Sequence, residues 1–276
     1  MKTIIAATDY SATADNALRY AASLATDLNA RLVLCNAYSV PVHAANSLLS
    51  PAGYDAIFTN NKNRLVNLAQ KTATEFKIEV GWATNSTIVT QELDELVAEL
   101  DAQLVVMGMH DNDWLDKISG NTTTTVIKHA HYPVLMVPAH ANYNGIGQIL
   151  FAYDQHCLHH NKLTVLNKIA AQLNAQVHVY HVETQAVPTE VDVAAFHTTA
   201  QSELSLVNID YDFTDVFEED VVAGINKGIK EIGADLLVMV PHQYGFWRGL
   251  AHISKTREMA LNTKIPLLTL PNPLNQ

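Results

Sequence analysis

A chain of 276 residues with 48% hydrophobic content and a formal net charge of −11 is long and apolar enough to build two cores. That acidic balance excludes a nucleic-acid binder and a partner for anionic membrane, both of which need clustered Lys and Arg. Cys35 and Cys157 are too few for a disulfide framework, and each sits in or beside a core-strand run, so both read as buried reduced thiols. In chain order, strands are expected at Thr3–Thr8, Arg31–Asn36, Lys77–Trp82, Gln103–Gly108 and Val134–Val137. Helices are expected near Ala12–Asn29, Tyr54–Phe76, Thr90–Leu100 and Asn121–Ala130, where apolar residues such as Leu18, Ala21, Ala22, Ala25 and Leu28 recur at helical spacing. The second half follows with strands near Gly147–Tyr153, Gln176–Val182, Tyr211–Phe213, Leu236–Val240 and Leu267–Leu270. Runs such as Leu104–Met107 lack alternation, as parallel strands covered on both faces do. The first apolar run stops at Asp9, far too soon for a signal segment or a membrane span, so a cytoplasmic location is expected.

The two halves repeat each other. Ile4-Ile5-Ala6-Ala7-Thr8-Asp9 is echoed by Ile149-Leu150-Phe151-Ala152-Tyr153-Asp154, and Leu28-Asn29-Ala30 by Leu173-Asn174-Ala175, at one offset of 145 residues (154 − 9 and 173 − 28). Tyr132–Pro138 is echoed by Ile265–Pro271 at a shorter offset, so the second copy loses about a dozen residues in its middle. The βαβα order makes each half a doubly wound α/β unit with right-handed crossovers and a five-stranded, mainly parallel sheet. The units are expected at residues 1–140 and 146–276, with Ala139–Gly145 as linker.

Ligands of such sheets sit beyond the carboxyl ends of the strands, where strand order reverses. The candidate residues are therefore those that follow each strand: Thr8-Asp9-Tyr10-Ser11, Asn36-Ala37-Tyr38, and Gly108-Met109-His110-Asp111 leading to Gly120-Asn121-Thr122. Glycines at a strand end and a helix start let backbone N–H groups approach a phosphate.

Asp-x-Ser after the first strand, a strand ending in glycine, the Gly-x loop before a helix and the closing Pro-Val-Leu strand together resemble the universal stress protein family, as a tandem of two such domains. The resemblance implies an adenine-nucleotide α-hydrolase-like fold, and a site for ATP, with a divalent metal, made by Asp9, Ser11, Ala37, Gly108, Gly120, Asn121 and Thr122. In nucleotide-binding members the phosphate motif reads Gly-x2-Gly-x9-Gly-[Ser/Thr]. Here Asp111 stands in place of the second glycine, Asn121 in place of Ser or Thr, and eight residues separate Asp111 from Gly120. Asp111 near a triphosphate is repulsive unless a divalent metal lies between them. The resemblance also implies that Val134–Val137 and Leu267–Leu270 pair antiparallel within one chain, an intramolecular pseudo-dimer that leaves a further homodimer open.

The second unit departs further. Pro241, Tyr244 and Ile253-Ser254 fall opposite Gly108, Asp111 and Gly120-Asn121, and Gln155-His156 follows Asp154, so its triphosphate site reads as lost. His242, Arg248, His252 and Lys255 read either as an anion site or as a solvated helix face. Asp9 reads as a ligand contact or as a cap of the first helix, Asp154 as a cap or turn, and Thr122–Thr125 as phosphate donors or as partners of helix-start N–H groups.

The 13 histidines raise a metal reading. His178 and His181 lie three apart on a strand and face opposite ways, which leaves only the loop cluster His156, His159 and His160. Nucleophile, Walker and zincin motifs are absent. The expected function is thus a stress-response adenine-nucleotide binding module with its site in the first unit. The alternatives are a protein that interacts with partners or binds another small molecule with both sites degenerate, and a slow ATPase. No nucleic-acid or membrane partner is expected, and no catalytic residue is assigned. The long Tyr38–Pro51 loop could cover the site and is expected to be the most mobile ordered segment.

Overall fold

The computed structural model describes residues 1–37, 51–85, 89–109, 126, 130–153, 163–184, 194, 197–198, 200–201, 204, 206–241 and 255–271. Its elements are β1 (Thr3–Ala7), α1 (Ala12–Asp27), β2 (Arg31–Ala37), α2 (Pro51–Phe76), β3 (Val80–Asn85), α3 (Val89–Glu99), β4 (Leu104–Met109) and β5 (Val134–Pro138) in the first half. The second half contains β6 (Gln148–Ala152), α4 (Thr164–Leu173), β7 (Gln176–Glu183), β8 (Tyr211–Phe217), α5 (Val221–Ile232), β9 (Leu236–Met239), α6 (Lys255–Asn262) and β10 (Leu267–Thr269).

All ten described strands join one sheet in the order β3-β2-β1-β4-β5-β10-β9-β6-β7-β8. Every pairing is parallel except the central one, where β10 runs antiparallel to β5 with Leu268 opposite Leu135. This is the pairing expected of the two closing strands, and it covers two edges that would otherwise carry unpaired backbone groups. One face buries Leu18, Ala21 and Leu24 of α1, Leu65 of α2 and Leu166 and Ile169 of α4, while the other buries Leu93 of α3, Ile225 of α5 and Met259 of α6.

The sequence repeats have local causes. Asn29 lies two residues past the end of α1 and Asn174 directly follows α4; both sit at positive φ, 45° and 52°, where an Asn is tolerated better than a bulky residue. The next N–H then bonds back into the helix, Ala30 to the Ala25 carbonyl and Ala175 to that of Ala170. Pro133 and Pro266 each precede a closing strand and need no N–H; their carbonyls accept from Val105 and Leu237 on the neighbouring strands.

Strand β3 begins at Val80 rather than at Lys77 as the apolar pattern suggests, because Lys77 lies at φ 55° in the turn that ends α2. Strand β8 runs on to Phe217, four residues past the expected end, with Asp212 and Asp215 taken up by histidines across β7. The linker is pinned rather than loose. Tyr143 donates to Asp27 at 2.6 Å and meets the Tyr20 ring edge-on, and the Asn16 amide donates to the Pro138 and Ala141 carbonyls. No described helix is long and apolar enough to cross a membrane. Cys35 is buried and free of disulfide; Cys157 and the stretch 38–50 lie outside the described residues.

Candidate functional site

The strand order reverses between β1 and β4, so the crevice of the first unit lies beyond their carboxyl ends. Thr8 continues the register of β1 by donating its N–H to Cys35, and a tight turn follows. Tyr10 sits at φ 64° with its N–H on Thr8 Oγ1, and the Ser11 N–H donates to Asp9 Oδ1 at 2.9 Å. Ser11, not Asp9, caps α1: its hydroxyl oxygen accepts from the Ala14 N–H at 3.1 Å, while its hydrogen remains able to donate. Asp9 instead braces the turn, an Asx geometry.

Behind the turn lies a chain of neutral amides. The buried Asn36, one residue before Ala37, donates to the Thr8 carbonyl at 2.6 Å and accepts from Asn61 of α2 at 2.7 Å. The Tyr10 hydroxyl closes the ring of contacts by donating to Asn61 Oδ1 at 3.1 Å or its carbonyl at 3.3 Å. Burial pushes the Tyr10 phenol up, and the Arg64 guanidinium, 3.8 Å from its ring centroid, opposes that. The ends of β1 and β2 and the middle of α2 are thereby locked together, which holds Asp9 and the Ala37 backbone at one edge in fixed relation.

Gly108 has a packing reason of its own. A Cβ there would lie 2.8 Å from the Thr13 carbonyl oxygen and 2.9 Å from its carbonyl carbon, so the missing side chain lets the first turn of α1 rest on β4. Asp111, Gly120, Asn121, Thr122 and the rest of the run Thr122–Thr125 lie outside the described residues. So do Asp154, His156, His159, His160, Tyr244, Ile253-Ser254, His242, Arg248 and His252. Of the basic set in the second unit only Lys255 is described, and it is paired with Asp220 at 3.0 Å and Glu258 at 3.2 Å, so it belongs to a structural ion pair rather than an open anion site.

His178 and His181 have separate partners. His178 meets Asp212 and Gln148, whereas His181 meets Asp215. Among the described residues no group of three or more His, Cys, Asp or Glu is arranged to hold a metal ion. Sequence reading named Asn36 only as a strand-end residue and missed Asn61 and Arg64. The available signals were an Asn ending an apolar strand, and the Asn60-Asn61 pair inside a helix that Asn disfavours.

Residues 1–138 match the model of the universal stress protein family. The chain belongs to the universal stress protein family. A universal stress protein from Archaeoglobus fulgidus DSM 4304 shares its fold over 98% of both chains, with a TM-score of 0.77 at 14% identity. A functionally unknown protein from Pseudomonas aeruginosa PAO1 matches 98% of this universal stress protein and 92% of its own length, with a TM-score of 0.56 at 16% identity. A single-domain family member from Arabidopsis thaliana, solved with AMP bound, covers 50% of this chain and 92% of its own at 16% identity, with a TM-score of 0.35. The two full-length likenesses, at 14% and 16% identity, speak to the fold alone. No curated protein sequence matches the chain.

Proposed function

We propose that this universal stress protein binds an adenine nucleotide at the carboxyl-end edge of its first unit, residues 1–140, and that the second unit, residues 146–276, has lost the triphosphate site. The carrying observation is the braced turn at Asp9. A carboxylate and a neighbouring strand-end backbone, held by the Thr8–Asn36–Asn61–Tyr10 contacts, are organised before a ligand arrives. Asp9 and the Ala37 backbone would meet the base and ribose, the Ser11 hydroxyl would donate, and Gly120, Asn121 and Thr122 would meet the phosphates. ATP would bring a divalent ion to separate its phosphates from Asp111. Gly108 supports the reading least, since the Thr13 contact already accounts for it. The role is sensing or buffering of nucleotide in a stress response.

The test is to purify the protein without added nucleotide, denature it and identify what is released by mass spectrometry, with Asp9→Ala alongside. Stoichiometric ATP, ADP or AMP from the parent and none from the variant is the expected result. An empty protein that also ignores millimolar ATP in calorimetry overturns the proposal.

A further inference from the structure

Among the described residues five large hydrophobic side chains are exposed, and all five lie at the two open edges of the sheet. Phe58 and Trp82, 42% and 41% exposed, belong to α2 and β3, while Val207, Tyr211 and Phe217 lie on or just before β8. β3 and β8 are the end strands of the ten. Lys62, one helical turn beyond Phe58, holds its ammonium 5.3 Å from the Trp82 ring, which ties this part of α2 to the β3 edge. Exposed hydrophobics scattered singly need no explanation, but two clusters confined to the free edges mark contact surfaces.

We infer that the chain joins a second copy of itself edge to edge, β3 of one copy adding to β8 of the next. The backbone suits this pairing. The Leu32 N–H on β2 donates to the Glu79 carbonyl, and the Val177 N–H on β7 donates to that of Asp210. In a parallel ladder, alternate residues turn both backbone groups toward the same neighbour. Val80, Trp82 and Thr84 therefore turn theirs to the open side of β3, and Tyr211, Phe213, Asp215 and Phe217 to the open side of β8. The five strands of each unit run parallel, and the two units meet antiparallel at β5 and β10. A copy added in the same orientation thus brings β3 antiparallel to β8, the sense of the joint already present at the centre of the sheet.

Side chains and charges match as well. Val80 and Phe213 pack on the same core cluster, so in the continued sheet Trp82 falls on the face that carries Tyr211, Phe213 and Phe217. Aromatic pairs across neighbouring strands are favourable there. Residues 210–220 hold six acids and no Lys or Arg, whereas residues 51–85 hold four bases against three acids in a chain of net charge −11. Lys227 and Lys255 pair with Glu218 and Asp220, two of the six, and the β8 edge stays acidic. This complementarity selects the occupant: β8 against β8 would set acid on acid, while β3 against β8 sets Lys62 beside the acids.

Nucleotide plays no part in this contact, and the test uses the full chain alone. Because the contact is heterologous, each assembly keeps one free β3 and one free β8, and its average mass grows with concentration. Sedimentation equilibrium of the parent from micromolar to millimolar protein is expected to show that growth. Trp82→Lys, which puts a charge on the β3 edge, and Tyr211→Lys, which sets a lysine against Lys62, are each expected to weaken self-association at least about tenfold. Mixed together, the two variants are expected to form a dimer with one copy of each and nothing larger, since one keeps β8 and the other keeps β3. Lys62→Glu, on the exposed side of α2, reads the β3 edge without touching a strand and is also expected to weaken association. A parent that stays monomeric at millimolar concentration overturns the proposal. So does a mixture that stays monomeric although the parent assembles. Assembly that either strand variant leaves intact, the sign of β3 meeting β3 or β8 meeting β8, overturns it too. Both strand variants replace exposed side chains, so both are expected to fold, which circular dichroism checks.

Discussion

Gly108 on β4 and Thr13 in the first turn of α1 approach so closely that a methyl group on the glycine would meet the Thr13 carbonyl at 2.8 Å. The contact partner is backbone, which cannot swing aside. Gly108→Ala is expected to push α1 off the sheet at a cost of about 1–3 kcal/mol, read from the urea midpoint. A neutral result would return Gly108 to consideration as a residue kept bare for a ligand alone.

Asn36 is buried and joins the Thr8 carbonyl to the Asn61 amide. Asn36→Ala leaves both partners unsatisfied, with an expected loss of roughly 1–3 kcal/mol of stability. Nucleotide affinity measured by calorimetry should fall in the same variant, because the Asp9 turn loses its brace. Tyr10→Phe, which keeps the ring under Arg64 and removes only the hydroxyl contact, should have the smaller effect on both.

Tyr180 is buried, and its hydroxyl has no hydrogen-bond partner among the described residues. Its ring lies under α5, where a Cβ on Gly228 would come within 2.6 Å of it. Tyr180→Phe removes an unpaired polar atom and keeps the packing, so thermal unfolding should show a gain of about 1 kcal/mol. A loss would mean that the hydroxyl finds its partner outside the described residues.

Asp220 caps α5 by accepting from the Ala223 N–H at 2.9 Å. That bond, then the Lys255 ammonium, holds its carboxyl below the usual range. The cap is therefore worth most above the unfolded carboxylate value and fades as pH falls through the folded one. Asp220→Ala is expected to cost about 1 kcal/mol at pH 7, and the gap between parent and variant should shrink at pH 3.

Much of the fold was legible because its signals are local. Apolar periodicity placed the first residue of all ten described strands within three residues of where the structure has it. The recurrent Leu-Asn-Ala and Pro motifs marked the same helix end and the same strand entry in both units. Boundaries drifted where a turn residue overrode the pattern, as Lys77 did before β3, or where acids hid a strand, as Asp212 and Asp215 did in β8. The candidate site was legible only as far as the loops that follow strands. Its motif residues could be named from the family likeness, but the supports behind Asp9 could not.

What the sequence determined by itself is the pair of α/β units, because burial period, helix-ending Asn and strand-entering Pro act within a few residues. What only the tertiary structure decided is which polar side chains meet. Asn36 meets Asn61 across 25 residues and His181 meets Asp215 across 34. Such pairs depend on strand order and register, which place distant residues directly opposite one another, and no local propensity encodes that.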